Sequence, residues 1–318
     1  MKKILAVLFI SCLLIILLLL LAINVIIPYA RYSSAIAMMN AGMYEDAINS
    51  FESLGHYKDS MDKIKVCNAA ILAAEYDNAV ALMDAEEIVE SYEALIALGD
   101  YRDSAAKANS IYNKYKIEKI KSAKIGDCIF WGSYEQDNNI SNGKEEIEWI
   151  VLETKDNQAL LISKYALDCK KYNDNYELVR WGRSSVRQWL NNDFIDSAFT
   201  ADEKVLIPTV TISAAENPKY YTTAINTTED KVFLLNIAEV REYFSSNEAR
   251  QCKPTAYAEE KGVLVSMVNG NCQWWLRSHG RTQKTAAYVF TDGYIENEGQ
   301  MVNMSNLAIR PSLWVAWD

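Results

Sequence analysis

The chain has 318 residues, too many for one ordinary domain and enough for two or three. Half of them are hydrophobic and 23% are charged, a balance that builds buried cores and excludes disorder throughout. The net charge is −10, with both the first third and the remainder acidic, so a groove that neutralises nucleic-acid phosphates is excluded and no nucleic-acid partner is expected.

Residues 1–3 precede a run from Ile4 to Ile27 that is interrupted only by Ser11, Cys12 and Asn24. A helix of that length covers roughly 36 Å, more than the roughly 30 Å of a hydrocarbon core. It is too long for the apolar part of a cleaved signal peptide, and Ile26-Ile27-Pro28-Tyr29 is a poor cleavage site. The run is read as an uncleaved anchor, with the lipid bilayer as the partner of Ile4–Ile27. Lys2 and Lys3 outweigh Arg31 on the far side, which predicts a cytoplasmic N-terminus and extracytoplasmic residues 28–318 of a single-pass cell-membrane protein.

Residues 28–120 read as helices that repeat. Leu54-Gly55-His56-Tyr57-Lys58-Asp59-Ser60 recurs as Leu98-Gly99-Asp100-Tyr101-Arg102-Asp103-Ser104, 44 residues on. Ala41-Gly42-Met43-Tyr44-Glu45-Asp46-Ala47 is echoed 32 residues on by Ala73-Ala74-Glu75-Tyr76-Asp77-Asn78-Ala79. Gly55 and Gly99 fit the close of one helix, and the Tyr-x-Asp-Ser stretch fits the start of the next. Ala47, Ile48, Phe51 and Leu54, and again Ile88, Tyr92, Leu95 and Ile96, have helical spacing. These segments resemble tetratricopeptide-like repeats, an all-α array that the resemblance associates with protein binding; a rigid stalk is the plainer reading. The uneven offsets predict irregular helices. Ser60-x-x-Lys63 and Ser104-x-x-Lys107 belong to the repeat signature and are read as helix starts, with no Ser-Asp-Asn or Lys-Thr-Gly after them. Lys114, Lys116, Lys119, Lys121 and Lys124 form a basic cluster that is read as a solvated helix tail, with contact to anionic lipid or a teichoic-type polymer as the alternative.

Residues 121–318 change character: all eight tryptophans lie at or beyond Trp131. Strands are predicted at 127–131, 147–152 and 159–163, the last two joined by a hairpin at Lys155-Asp156-Asn157-Gln158. A helix capped by Ser184 or Ser185 runs to Asn191, and another covers Ile237 to Phe244. Further strands fall at 232–235, 274–278, 286–290, 294–295 and 309–315, which makes an α+β domain. Of the five cysteines outside the apolar run (Cys67, Cys128, Cys169, Cys252 and Cys272), a bridge between Cys252 and Cys272 and free buried thiols are both compatible with the spacing.

Trp149-Ile150-Val151-Leu152, Leu161-Ile162-Ser163-Lys164, Ser185-x-Arg187-x-Trp189-Leu190-Asn191, Trp274-Trp275-Leu276-Arg277-Ser278 and Arg310-Pro311-x-Leu313-Trp314 resemble an uncharacterised bacterial surface domain. That domain is more distantly similar to the C-type-lectin-like fold of formylglycine-generating enzymes and retroelement-diversified variable proteins. The resemblance implies a lectin-like fold and no particular chemistry. Glu216-Asn217-Pro218 scrambles the calcium-lectin loop and no Trp-Asn-Asp is present, so no metal is expected. Cys252 and Cys272 lack the enzyme's close spacing.

No catalytic motif and no cofactor motif is found. His56 and His279 are the two histidines, and a Cys272–His279 thiolate pair lacks an orienting third group. If Trp274–His279 is a strand, Trp275, Arg277 and His279 share one face, as a core scaffold or as a platform for a sugar or peptide. Arg277 and Arg310 also fit structural partners of buried carboxylates. Tyr220 and Tyr221 fall in a loop from Ser213 to Thr228, where lectin-like folds place binding surfaces. The expected function is an anchored binding or interaction protein, presenting its C-terminal module to an envelope glycan, peptide or protein. An unrecognised envelope-modifying enzyme and a scaffold subunit acting through the repeats are the alternatives.

Overall fold

A computed structural model describes residues 2–213, 216–222 and 227–317. The chain forms two compact units, Met1–Tyr115 and Lys116–Asp318.

In the first unit the apolar run and the first repeat helix are one continuous rod: α1 (Lys2–Leu21), a π-turn (Ala22–Ile26) and α2 (Ile27–Asn40). The π-turn has a local cause. Pro28 has no N–H to offer one turn back and its ring crowds the carbonyl there, so the backbone widens ahead of it. The Asn24 amide meanwhile donates to the Leu20 carbonyl at 2.9 Å. The large apolar side chains from Ile4 to Ile27 are exposed, and this helix is long and apolar enough to cross a membrane.

Helices α3 (Tyr44–Leu54), α4 (Ser60–Asp84), α5 (Ile88–Ala97) and α6 (Ser104–Ser122) follow. Equivalent positions of two copies recur 44 residues apart, on helices of 11, 25, 10 and 19 residues. Ala35, Phe51 and Ser60 are fully buried, and so are their counterparts Ala79, Leu95 and Ser104. The Tyr32 hydroxyl bonds Asp59 as the Tyr76 hydroxyl bonds Asp103. Ser60 and Ser104 each donate to the carbonyl three residues back, Tyr57 and Tyr101, at 2.6 Å. The 32-residue echo has no structural counterpart: Ala41–Met43 is a turn, whereas Ala73–Ala79 lies in the middle of α4. The two segments look alike because both place alanines and a tyrosine at helical spacing, and tertiary packing selects the other register.

The second unit holds twelve strands among its described residues. They are β1 (Cys128–Tyr134), β2 (Glu145–Lys155), β3 (Gln158–Ser163), β4 (Asp168–Cys169), β5 (Val210–Ser213) and β6 (Thr227–Asp230). Then come β7 (Val232–Phe233), β8 (Trp274–His279), β9 (Thr285–Val289), β10 (Ile295–Met301), β11 (Ala308–Ile309) and β12 (Ser312–Ala316). One five-stranded sheet has the order β1-β2-β3-β12-β7, a second has β10-β9-β8-β11-β4, and β5 pairs with β6 alone. Asp156 and Asn157 take positive φ, 47° and 58°, the twist that a two-residue hairpin between β2 and β3 requires.

The Arg310-Pro311 motif marks where the chain changes sheets. Ala308 and Ile309 pair in the second sheet, and Ser312–Ala316 pair in the first against Gln158–Ile162. Pro311 has no N–H to leave unsatisfied at this crossing. Its carbonyl accepts from Ser163 N at 3.0 Å, so the Leu161-Ile162-Ser163 and Arg310-Pro311 motifs are neighbours in space. A single apolar core containing Trp131, Trp149, Trp181, Trp274 and Trp275 fills the unit. Lys116 and Glu203 form an ion pair within it at 2.6 Å, both nearly buried.

Candidate functional site

Trp275, Arg277 and His279 form no exposed platform on β8: the three are at most 1% accessible, and the pairing of β8 with β9 shifts register between Trp275 and His279. The correction follows from position. Other elements cover β8, Tyr172 packing on Trp275 and Glu239 pairing with Arg277, and a strand covered on both faces shows no alternation of exposure. Arg277 donates through both terminal nitrogens to the Glu239 carboxylate, and also to the carbonyls of Ser213 at 2.9 Å and Leu234 at 2.7 Å. It is therefore the partner of a carboxylate, as one sequence reading had it. Arg310 differs. Its guanidinium carbon is 5.4 and 5.1 Å from the centres of the Phe244 and Trp274 rings, and it donates to the Ser163 carbonyl at 2.9 Å, with no ion pair among the described residues.

Among the described residues neither ring nitrogen of His279 has a hydrogen-bond partner, Cys272 included. Cys252 and Cys272 are free thiols facing each other in the core, joined by a backbone bond from Cys272 N to the Cys252 carbonyl at 2.8 Å.

Of the expected loop, residues 214–215 and 223–226 lie outside the described residues. Asn217 is an internal staple, fully buried, its amide donating to the carbonyls of His279 and Asn297 at 2.8 Å each. The Tyr220 hydroxyl donates to Glu298 at 3.1 Å, and Tyr221 is 73% exposed with φ 52°. Glu135, Asp137 and Glu145 bring carboxylate oxygens within 4.8 Å of one another on the surface, where exposed acids commonly cluster.

A polar cleft lies elsewhere. It measures about 580 Å³ and is bordered by Lys170, Lys171, Asp174, Gln188, Trp189, Asn192, Asp193 and Lys261, with Cys169 and Ser185 deeper. Lys170 places its ammonium 4.7 Å above the half-buried Trp189 ring. The polar wall holding Lys170 is fixed from inside, because the Trp275 indole donates to the Lys170 carbonyl at 2.9 Å. Trp275 in turn meets Tyr172 edge-on at 5.8 Å, and the Tyr172 hydroxyl donates to the Arg277 carbonyl at 2.9 Å. The predicted site residues Trp275 and Arg277 thus position the cleft and do not line it.

The opposite wall is the short helix Ser185–Trp189, capped by Ser184. Arg187 and the Trp181 indole both donate to the buried Asp230, at 2.6 and 2.9 Å. Asn191 clamps the strand beyond, accepting from Lys231 N at 2.8 Å and donating to the Val232 carbonyl at 2.8 Å. The Ser185-x-Arg187-x-Trp189-Leu190-Asn191 motif is therefore a mount that presents Trp189.

Burial, with the Asp168 charge beside it, pushes the Cys169 thiol up to about 11. It stays protonated and donates to the Ser305 carbonyl at 3.1 Å, which leaves it inert as a nucleophile. None of the cleft lysines belongs to an ion pair among the described residues. In sequence the cleft was signalled only by the polar runs Lys170-Lys171 and Asn191-Asn192-Asp193, which resemble ordinary loop surface until the fold sets them on either side of a tryptophan.

An all-helical unit whose first helix is long and apolar enough to cross a membrane, followed by a β-rich unit with a tryptophan-lined polar cleft, defines the class of protein. Residues 156–317, half of the chain, match the family described as "Domain of unknown function (DUF6273)", and the chain belongs to that family. No curated protein and no solved structure matches. The matched region begins within the β2–β3 hairpin, yet β1 and β2 complete the same sheet, so the folded domain extends upstream of the family's boundary.

Proposed function

We propose that the protein is an anchored extracytoplasmic binding protein whose cleft takes an acidic glycan or peptide of the cell envelope. The observation that carries this reading is the cleft's chemistry: three lysines without an ion pair among the described residues against two aspartates, around a half-buried tryptophan, in a chain of net charge −10. Amides and carboxylates for hydrogen bonding beside an aromatic face suit a hydroxyl-rich ligand, and the excess of ammonium groups favours one that carries negative charge. An envelope-modifying enzyme fits less well, since Cys169 is held as a thiol and no histidine borders the cleft.

The helix from α1 into α2 serves in this reading as the membrane span, with the tetratricopeptide-like repeats as a stalk. The lectin-like fold for the C-terminal unit is supported by the return of the last strand, β12, into the sheet begun by β1 and β2. Orientation is tested by protease shaving of intact cells carrying a C-terminal tag: loss of the tag is expected, and survival until lysis overturns it.

Binding is tested by titrating full-length protein in detergent micelles with solubilised envelope glycans and peptides. Trp189→Ala and Lys170→Ala are each expected to weaken binding about tenfold or more, roughly 1.4 kcal/mol. Unchanged affinity in both variants removes the cleft as the site.

A further inference from the structure

The two helical repeats carry the same device with a difference that points to a ligand. In the second copy Arg102 lies over the rings of Tyr76 and Tyr101, 4.8 and 5.2 Å from their centres, and pairs with Asp77 at 3.2 Å. In the first copy Lys58 lies over Tyr29, Tyr32 and Tyr57 at 4.6, 4.5 and 5.6 Å. The residue matching Asp77 is Ser33, and the residue matching Tyr29 is Ala73. The copy next to the apolar helix thus lacks the acid and gains a third ring.

Both cations sit in the left-handed region, at φ 51° for Lys58 and 50° for Arg102. That conformation costs a residue with a side chain roughly 1–2 kcal/mol, so a long cation here is maintained against local preference. For Arg102 the return is visible in Asp77. For Lys58 no ion pair exists among the described residues, and the adjacent Asp59 carboxylate is occupied by the Tyr32 hydroxyl and by Lys63 at 3.5 Å.

Location supplies the partner. Tyr29 is 57% exposed and stands two residues past Ile27, the last of the apolar run, on an unbroken helix. At 1.5 Å per residue it rises about 3 Å beyond the end of the apolar run, which itself exceeds the hydrocarbon core, and so falls at the level of a headgroup layer roughly 5–7 Å deep. Aromatic rings and lysines are the side chains that settle at this level, and Arg31, also exposed, adds a second positive charge there.

We propose that Lys58, with Tyr29, Tyr32 and Tyr57, binds the phosphodiester of an anionic phospholipid in the bilayer that the helix spans, seating the first repeat on the membrane surface. This rests on the membrane-spanning reading of the helix. The ammonium contributes the charge and its three donors, and the rings fix its direction and exclude water from one side.

The test reconstitutes the full chain in vesicles of phosphatidylcholine alone or with about one-third phosphatidylglycerol. A neutral, membrane-impermeant acylating reagent is applied, and labelling is read at Lys58 and at the exposed reference Lys65 by mass spectrometry. Labelling of Lys58 is expected to slow about fivefold in the anionic vesicles, the size of effect one lysine has at such a surface, with Lys65 unchanged. Lys58→Gln is expected to abolish any enrichment of phosphatidylglycerol among lipids retained through purification. Equal labelling in both vesicles overturns the proposal. So does equal protection by soluble glycerol phosphate in neutral vesicles, which would make the site one for free phosphate. Flotation separates the two readings: protein that fails to float with the vesicles refutes the membrane span itself, whereas protein that floats with Lys58 unprotected refutes only the lipid site.

Discussion

Glu239→Ala is expected to lower the unfolding free energy of the C-terminal unit by about 3–5 kcal/mol. Arg277 is 1% exposed, and the Glu239 carboxylate pairs with its guanidinium. Removing the acid strands a guanidinium in the core, and that stranded charge is the larger part of the cost. Glu239 also closes the capping box of the Ile237–Tyr243 helix by accepting from Asn236 N, so the helix start loosens as well. The measurement is urea unfolding followed by tryptophan fluorescence, which reports on this unit alone because no tryptophan precedes Trp131. Adding Arg277→Met to Glu239→Ala is expected to recover part of the loss by removing the charge. Recovery stays incomplete because the Ser213 and Leu234 carbonyls then lose their donor. A single variant that unfolds like the parent would mean the carbonyls alone hold Arg277.

The sequence readings succeeded where the signal is local. The β2–β3 hairpin follows from Asp156-Asn157 between alternating apolar runs, and the start of the Ser185–Trp189 helix from a serine cap, although the α-helix passes into a π-turn before Asn191, where its end was expected. Arg277 and Arg310 sit in similar Arg-after-Trp or Arg-before-Pro contexts, yet one found a carboxylate and the other two aromatic rings. Nothing in either motif distinguishes them, because the partner arrives from an element distant in sequence. The exposed platform on β8 failed for a related reason. Alternation assigns side chains to two faces, and only the elements packed on the sheet, here Tyr172 and Glu239, decide whether a face meets solvent or another layer. The cleft was illegible because its walls, Lys170-Lys171 and Gln188–Asp193, are brought together by Trp275, Tyr172 and Asp230, none of which borders it. The repeat was half legible: the 44-residue period stood out in the Leu-Gly-x-Tyr turn, while the buried Ala35/Ala79 and Phe51/Leu95 pairs that fix its register are ordinary residues in any helix.

The second large effect is set by pH. Burial, with the Arg180 charge nearby, pushes His279 down to about 4, well below the 6.5 it has in an unfolded chain. As pH falls from about 6.5 towards 4 the unfolded state takes up a proton that the folded state refuses. Stability that is complete above about pH 7 is therefore lost across that window, by roughly 3 kcal/mol once pH has passed below the folded value. Glu203 works in the same direction but at lower pH. Burial alone would raise it, while Lys116 and Thr200 hold it below the ordinary glutamate value, so its contribution disappears only on its own protonation. Urea midpoints read by tryptophan fluorescence at pH 7 and pH 5 are expected to differ markedly in the parent. In His279→Phe, which fills the same apolar surroundings and carries no titratable group, the two midpoints are expected to converge, with stability at pH 7 near the parent's. His56, the other histidine, lies in the helical unit, outside what the tryptophans report. A His279→Phe protein that keeps the parent's full loss of stability between pH 7 and pH 5 would place the proton uptake on another group and leave His279 without a part in the acid response.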